Sequence, residues 1–121
     1  MKHYPITPVA KPRMTRSDKW KQRDCVLKYR AYKDEVRLHN VEVPEGGAHI
    51  VFVIPMPASW SQKKRAQTAG TPHQQRPDVD NFHKGLLDAA LAEDCRVWDH
   101  RITKIWGEQG GITIREMGVA A

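Results

Sequence analysis

The run Ala48-His49-Ile50-Val51-Phe52-Val53-Ile54 constrains the fold more than any other stretch of this chain. Its β-branched and aromatic content favours a buried strand, and Pro55 and Pro57 stop it. Pro44, Gly46 and Gly47 mark a turn over 41–47 just ahead of it. With 121 residues, the chain has the length of one domain with a modest core, a size that self-association often supplements.

Other elements arrange themselves around that strand. Pro8, Pro12 and the polar run over 11–19 predict an extended or turning start, after which Cys25, Val26, Tyr29, Val36 and Leu38 fall on one side of a basic helix. Residues 58–77 are polar and show no periodicity that could bury a face, so they predict a long, mobile, basic loop. Val79, Phe82, Leu86, Leu87 and Ala90 then recur at helical spacing, with Asp78 or its neighbours placed to cap the first turn. Ile102–Trp106 and Ile112–Ile114 alternate around Gly110-Gly111 and predict a closing hairpin. The expected fold class is α+β: one small domain over 1–121, with a mixed sheet packed against two main helices.

A formal charge of +6 and a pI of 9.6 make a polyanion the natural partner, because Lys and Arg that neutralise phosphates release condensed counterions. The same charge also suits a domain that is merely soluble. Cys25 and Cys95 are too few and too far apart for a disulfide framework and point to a reducing compartment. No apolar run has the length of a secretory signal or of a bilayer span. A soluble, cytoplasmic protein without a membrane partner is expected.

Within this basic chain, Arg76-Pro77-Asp78-Val79-Asp80-Asn81-Phe82-His83-Lys84 concentrates acid. Asp80, Lys84 and Asp88 share one helical stripe, with Asp78 at its mouth. Carboxylates this close repel unless a cation lies between them, and Mg²⁺ prefers such oxygen ligands. A metal there would activate phosphodiester hydrolysis, with Lys84 offsetting developing negative charge. The alternative is an N-cap and an ordinary surface pair. Asp99 opens an extended segment and can face the mouth of that helix, or it can pair with Arg96 or Arg101 in solvent.

These residues resemble the RusA-type Holliday junction resolvases, small dimeric endonucleases that cut four-way DNA junctions with Mg²⁺. Asp78, Asp80 and Asn81, then Lys84, then Asp88-Ala89, and finally Asp99 in Val97-Trp98-Asp99-His100-Arg101-Ile102 match the family's order. The spacing from Asp80 to Asp99 needs no gap. Ile112-Thr113-Ile114-Arg115-Glu116 is similar to the family's last strand. Where the family often has two adjacent acids, Trp98 precedes Asp99. The resemblance implies a homodimer acting on branched DNA. It also implies that Asp78, Asp80 and Asp99 bind Mg²⁺, which Mn²⁺ can replace, and that Lys84 is the essential lysine.

Lys11, Arg13 and Arg16 form one basic cluster with Lys19, Lys21 and Arg23, and Lys63, Lys64, Arg65 and Arg76 form another; both could track DNA phosphates. Each residue singly could equally be a solvated charge. Trp20 and Trp60 could stack on unpaired bases or pack inward, whereas Trp98 and Trp106 are expected in the core. His73, His83 and His100 lack the spacing of a zinc site. A non-catalytic module for branched or single-stranded DNA, or a nuclease for other branched DNA, is the alternative function.

Overall fold

The computed structural model of the chain describes residues 1–13 and 24–117. Its order is β1 (Lys2–Tyr4), α1 (Asp24–Leu38), β2 (Ala48–Pro55), α2 (Gln62–Thr68), α3 (Val79–Ala90), a 3-10 turn (Asp94–Arg96), β3 (His100–Gly107) and β4 (Gly111–Glu116). The four strands form one mixed sheet in the order β1-β4-β2-β3. The expected α+β class is observed, with a third, short helix added.

β2 occupies the position its sequence demands. It pairs in parallel with β3 along one edge, Ile50 opposite Ile102, and antiparallel with β4 along the other, Ile50 opposite Ile114. Alternate residues Ala48, Ile50 and Phe52 are fully buried, as the two-residue period of a strand requires. The expected β3–β4 hairpin is therefore not formed: Gly110-Gly111 turns the chain as read, but the turn bridges over β2. A strand apolar on both faces gains most by hydrogen-bonding both edges inside the sheet, and this displaces direct β3–β4 pairing.

Both long helices cover the face that carries Ala48, Ile50 and Phe52. Tyr29, Tyr32 and Val36 of α1 join Phe82, Leu86, Leu87 and Ala89 of α3, together with Ile6, Ile112 and Ile114, in one core. Phe52 stacks on Phe82 with ring centroids 5.6 Å apart. On α1 the buried stripe runs through Val26, Tyr29, Tyr32 and Val36. The expected members Cys25 and Leu38 are instead exposed, because Tyr32 completes the helical period that Cys25 breaks. Both cysteines are free. The helix ends where Asn40 takes a φ of 51° and the Val41 amide bonds back to the Val36 carbonyl at 3.2 Å, a left-handed stop that asparagine tolerates.

The segment 58–77, expected as a long, mobile, basic loop, contains a short helix and a stretch laid along β3. Ser61 caps α2, its hydroxyl accepting from the Lys64 amide at 3.2 Å. α2 buries no residue, so no apolar period could announce it. Thr71 and His73 then run along the outer edge of β3: the Trp106 amide donates to Thr71 O at 3.0 Å and the His73 amide to Lys104 O at 3.1 Å. This covers an edge that would otherwise present unpaired backbone groups.

Replacing Phe52 with Ala removes the ring at the centre of this core and is expected to destabilise the fold by about 3–5 kcal/mol, measured as a lowered urea midpoint. Partly buried histidines whose pKa is lowered make stability depend on pH, His49 and His73 on and beside the sheet among them. Burial, then Arg101 and Arg115 on the flanking strands, lower the pKa of His49; burial, then Lys104, lower that of His73 beneath Trp106. Each binds its proton more readily unfolded than folded, so its contribution is complete above the ordinary value of 6.5 and is lost as pH falls through the lower folded value. The melting temperature should fall on acidification below about pH 6.5, and the double variant His49→Gln/His73→Gln should flatten that slope.

Candidate active site

α3 begins with its acids unspent. Asp78 holds the N-cap position, yet its side chain makes no capping bond; the first turn closes through its backbone carbonyl, which accepts from Asn81 at 3.1 Å and Phe82 at 3.4 Å. Asp78 and Asp80 are both exposed at this helix start, where the backbone dipole favours negative charge. Lys84 is exposed one turn beyond Asp80, and no salt bridge joins the two among the described residues. The pair is therefore available to a ligand.

The inward row of β3 holds this helix in place. His100, Ile102, Lys104 and Trp106 alternate with solvent-side residues, and the first and third of them reach α3 or the loop before it. His83 Nε2 lies 2.9 Å from His100 Nδ1, and His100 Nε2 lies 2.6 Å from the Pro44 carbonyl. A carbonyl only accepts, so His100 donates from Nε2. Burial, then His100, lower the pKa of His83, which keeps the His83 ring neutral near pH 7. Lys104 Nζ donates to the carbonyls of Gln75 at 2.5 Å and Pro77 at 2.7 Å, fastening the residues that lead directly into Asp78.

Asp99 sits at the start of β3, next to His100. Its Oδ2 accepts from the Gly47 amide at 3.3 Å, and Gly47 has a φ of 66°, a backbone state that suits glycine. The expected partner Arg96 is instead paired with Glu45 at 2.9 Å. Asp80 and Asp99 thus flank one contact, three residues before His83 and one before His100. Among the described residues, no three His, Cys, Asp or Glu side chains gather closely enough to hold an ion by themselves. Asp78, Asp80 and Asp99 consequently do not form a closed cage in this chain. Exposed carboxylates with oxygens to spare still suit Mg²⁺, which characteristically keeps several waters and takes further ligands from substrate phosphate.

The basic residues divide. Residues 9–13 cross α3 at Gly85, where a side chain would collide with Val9 O, and the Lys11 amide donates to Asn81 O at 3.1 Å. This brings Lys11 and Arg13 to a cleft shared with Asn81 and Lys84, although the Lys11 ammonium is paired with Asp88. Arg16 and the rest of its cluster lie outside the described residues, as does Trp20. Lys63 and Arg76 are exposed, and Lys64 lies 4.0 Å over the Trp60 ring. Arg65 is engaged within the fold: its guanidinium binds Glu108 at 2.8 Å and Pro57 O at 2.8 Å. Trp60 packs inward on Trp106, with ring centroids 5.0 Å apart. Trp98, expected in the core, is 64% exposed.

Lys104 was missed by the reading of the sequence. Its signal was there: a lysine in register with Ile102 and Trp106 on a strand has its charge on the inner face and needs acceptors.

A two-layer α+β domain that displays carboxylates and a lysine at a helix start, in a basic chain, suits metal-assisted phosphodiester cleavage of the nuclease class. The sequence matches the family described as Endodeoxyribonuclease RusA over residues 4–116, and the chain belongs to the RusA endodeoxyribonuclease family. Its activity is therefore that of a Holliday junction-resolving endodeoxyribonuclease, acting on branched DNA, and nucleases of this family are generally metal-dependent. No curated protein matches the chain.

Substituting Lys104 with Met releases the two carbonyls ahead of Asp78. The expected result is a stability loss of about 1 kcal/mol and faster amide hydrogen exchange at Asn81 and Phe82, with the Ile50 amide in β2 unchanged.

Proposed function

We propose that Asp78, Asp80 and Asp99 supply the carboxylates that hold Mg²⁺ for junction cleavage, and that Lys84 binds the scissile phosphate. The carrying observation is the start of α3, where two exposed acids and a lysine leave their charge unused in a chain of charge +6. Bound there, Mg²⁺ would polarise the phosphate and lower the pKa of an attacking water. In the reaction, water oxygen bonds to phosphorus, one phosphate ester bond breaks, and the departing sugar oxygen takes up a proton. Lys84 offsets the negative charge that grows on the phosphoryl oxygens. Lys104 and the His83–His100 bond act on position only, holding the acids where the phosphate arrives.

Lys11, Arg13, Lys63, Lys64 and Arg76 are proposed to follow the DNA backbone, which gives affinity and salt dependence without reading bases. Two copies of the chain, related by a two-fold axis, would meet the two strands cut in a four-way junction. The reaction is proposed to take place in the cytoplasm, on bacterial or phage DNA.

A synthetic four-way junction incubated with protein and Mg²⁺ tests the assignment. Paired incisions should appear, cease on chelation, and fall by at least about 100-fold in Asp80→Asn, while that variant still binds the junction. Equal cutting by parent and variant would reject the site. Cleavage confined to flaps or forks would move the substrate to other branched DNA, and unchanged binding with no incision of any substrate would reduce the chain to a binding module.

A further inference from the structure

From the ring's exposure and its seat we infer that Trp98 is a stacking platform for an unpaired nucleobase at the branch point. This rests on the nuclease reading above, since it gives that site a means of finding the branch. At 64% exposure, Trp98 is the one aromatic among the exposed large apolar side chains of the described residues. It is nevertheless held. The indole lies directly against Gly46, where a methyl group in place of hydrogen would overlap the ring, and the Trp98 amide donates to Glu45 O at 2.9 Å. The next glycine of the same turn donates its amide to Asp99. Ring and carboxylate are thus seated on one turn, Glu45-Gly46-Gly47, and their relative position is set by backbone contacts.

An indole presented this way offers a flat π-face on which a base can stack. Of the charges in the ring's own turn or within five residues of it, Glu93, Asp94 and Asp99 are exposed acids, Arg101 is an exposed cation, and Arg96 is paired to Glu45. A base can stack on the ring without any of these charges, because its π-face needs no countercharge. Duplex bases are already stacked on each other; a branch point supplies bases with a face exposed. A platform one residue from Asp99 would therefore favour placing a branch, in preference to continuous duplex, at the acids.

Binding of the full chain, in chelator so that nothing is cut, to a four-way junction carrying 2-aminopurine at the branch and to linear duplex of the same sequence tests this. Trp98→Ala should weaken junction binding about tenfold and abolish the fluorescence change of 2-aminopurine, with duplex affinity unchanged. Trp98→Phe should keep most of both signals, and Gly46→Ala, which lifts the ring from its seat, should behave like Trp98→Ala. Unchanged junction affinity in Trp98→Ala, an equal loss on duplex, or sedimentation showing that the substitution splits a dimer would each overturn the inference. Melting curves identify a variant that has unfolded; the Phe substitution then decides, since loss of its junction signal with the fold intact also overturns it. Because no cleavage is read, a Trp98-dependent junction signal in a chain that cuts nothing would sink the nuclease reading and leave the platform standing.

Discussion

Parallel pairing of β2 with β3 is the constraint from which the rest of the molecule follows. Two parallel neighbours cannot be joined by a tight turn; the chain must leave one end of the sheet and return to the other before the second strand begins. Here that return path contains α2, the stretch laid along β3, and α3. Every acid assigned to the site lies on it or at its end. The crossover that topology requires is thus the part of the chain that carries the acids and the lysine proposed for the site, while β1, β4 and α1 supply the surface against which it is held.

Holding it falls to polar contacts at the margin of the core. Phe82 and Leu86 fix α3 on the sheet by burial, but burial is non-directional and leaves rotation and sliding of a helix only partly specified. The bonds from His83 to His100 and from Lys104 to the carbonyls before Asp78 remove that freedom at the end that matters. They act from one row of β3, so the position of the acids is referred to a strand whose own register is set by eight paired residues.

Much of this was legible in the residues. β2 was read to within a residue at its end, because β-branched runs closed by proline have few alternatives, and α3 was read because its apolar period is unbroken. The motif marked, by type and spacing, the acids and the lysine that are proposed for the site. What escaped was set by partners distant in sequence. The Gly110-Gly111 turn was recognised, but local signals cannot say that a third strand lies between the two it joins. α2 escaped because it buries nothing, and Arg65 looked like a free cation until Glu108, 43 residues away, claimed it. Trp98 was placed inside on general preference for aromatic burial, whereas a glycine turn half the chain away gives it a seat at the surface.

The first residues of the chain do two jobs with one strand of backbone. β1 closes the edge of β4, Lys2 opposite Ile114 and Tyr4 opposite Ile112, and a few residues later the same segment crosses α3 at Gly85. Loss of residues 2–13 would therefore bare the backbone of β4 to strand addition from a neighbouring molecule and, in the same stroke, uncover the flank of the site helix. Solubility and function would fail together, and because Ile6 of this segment is fully buried in the core, a tag or fusion partner pulling on it would be felt at the core and at the site helix alike.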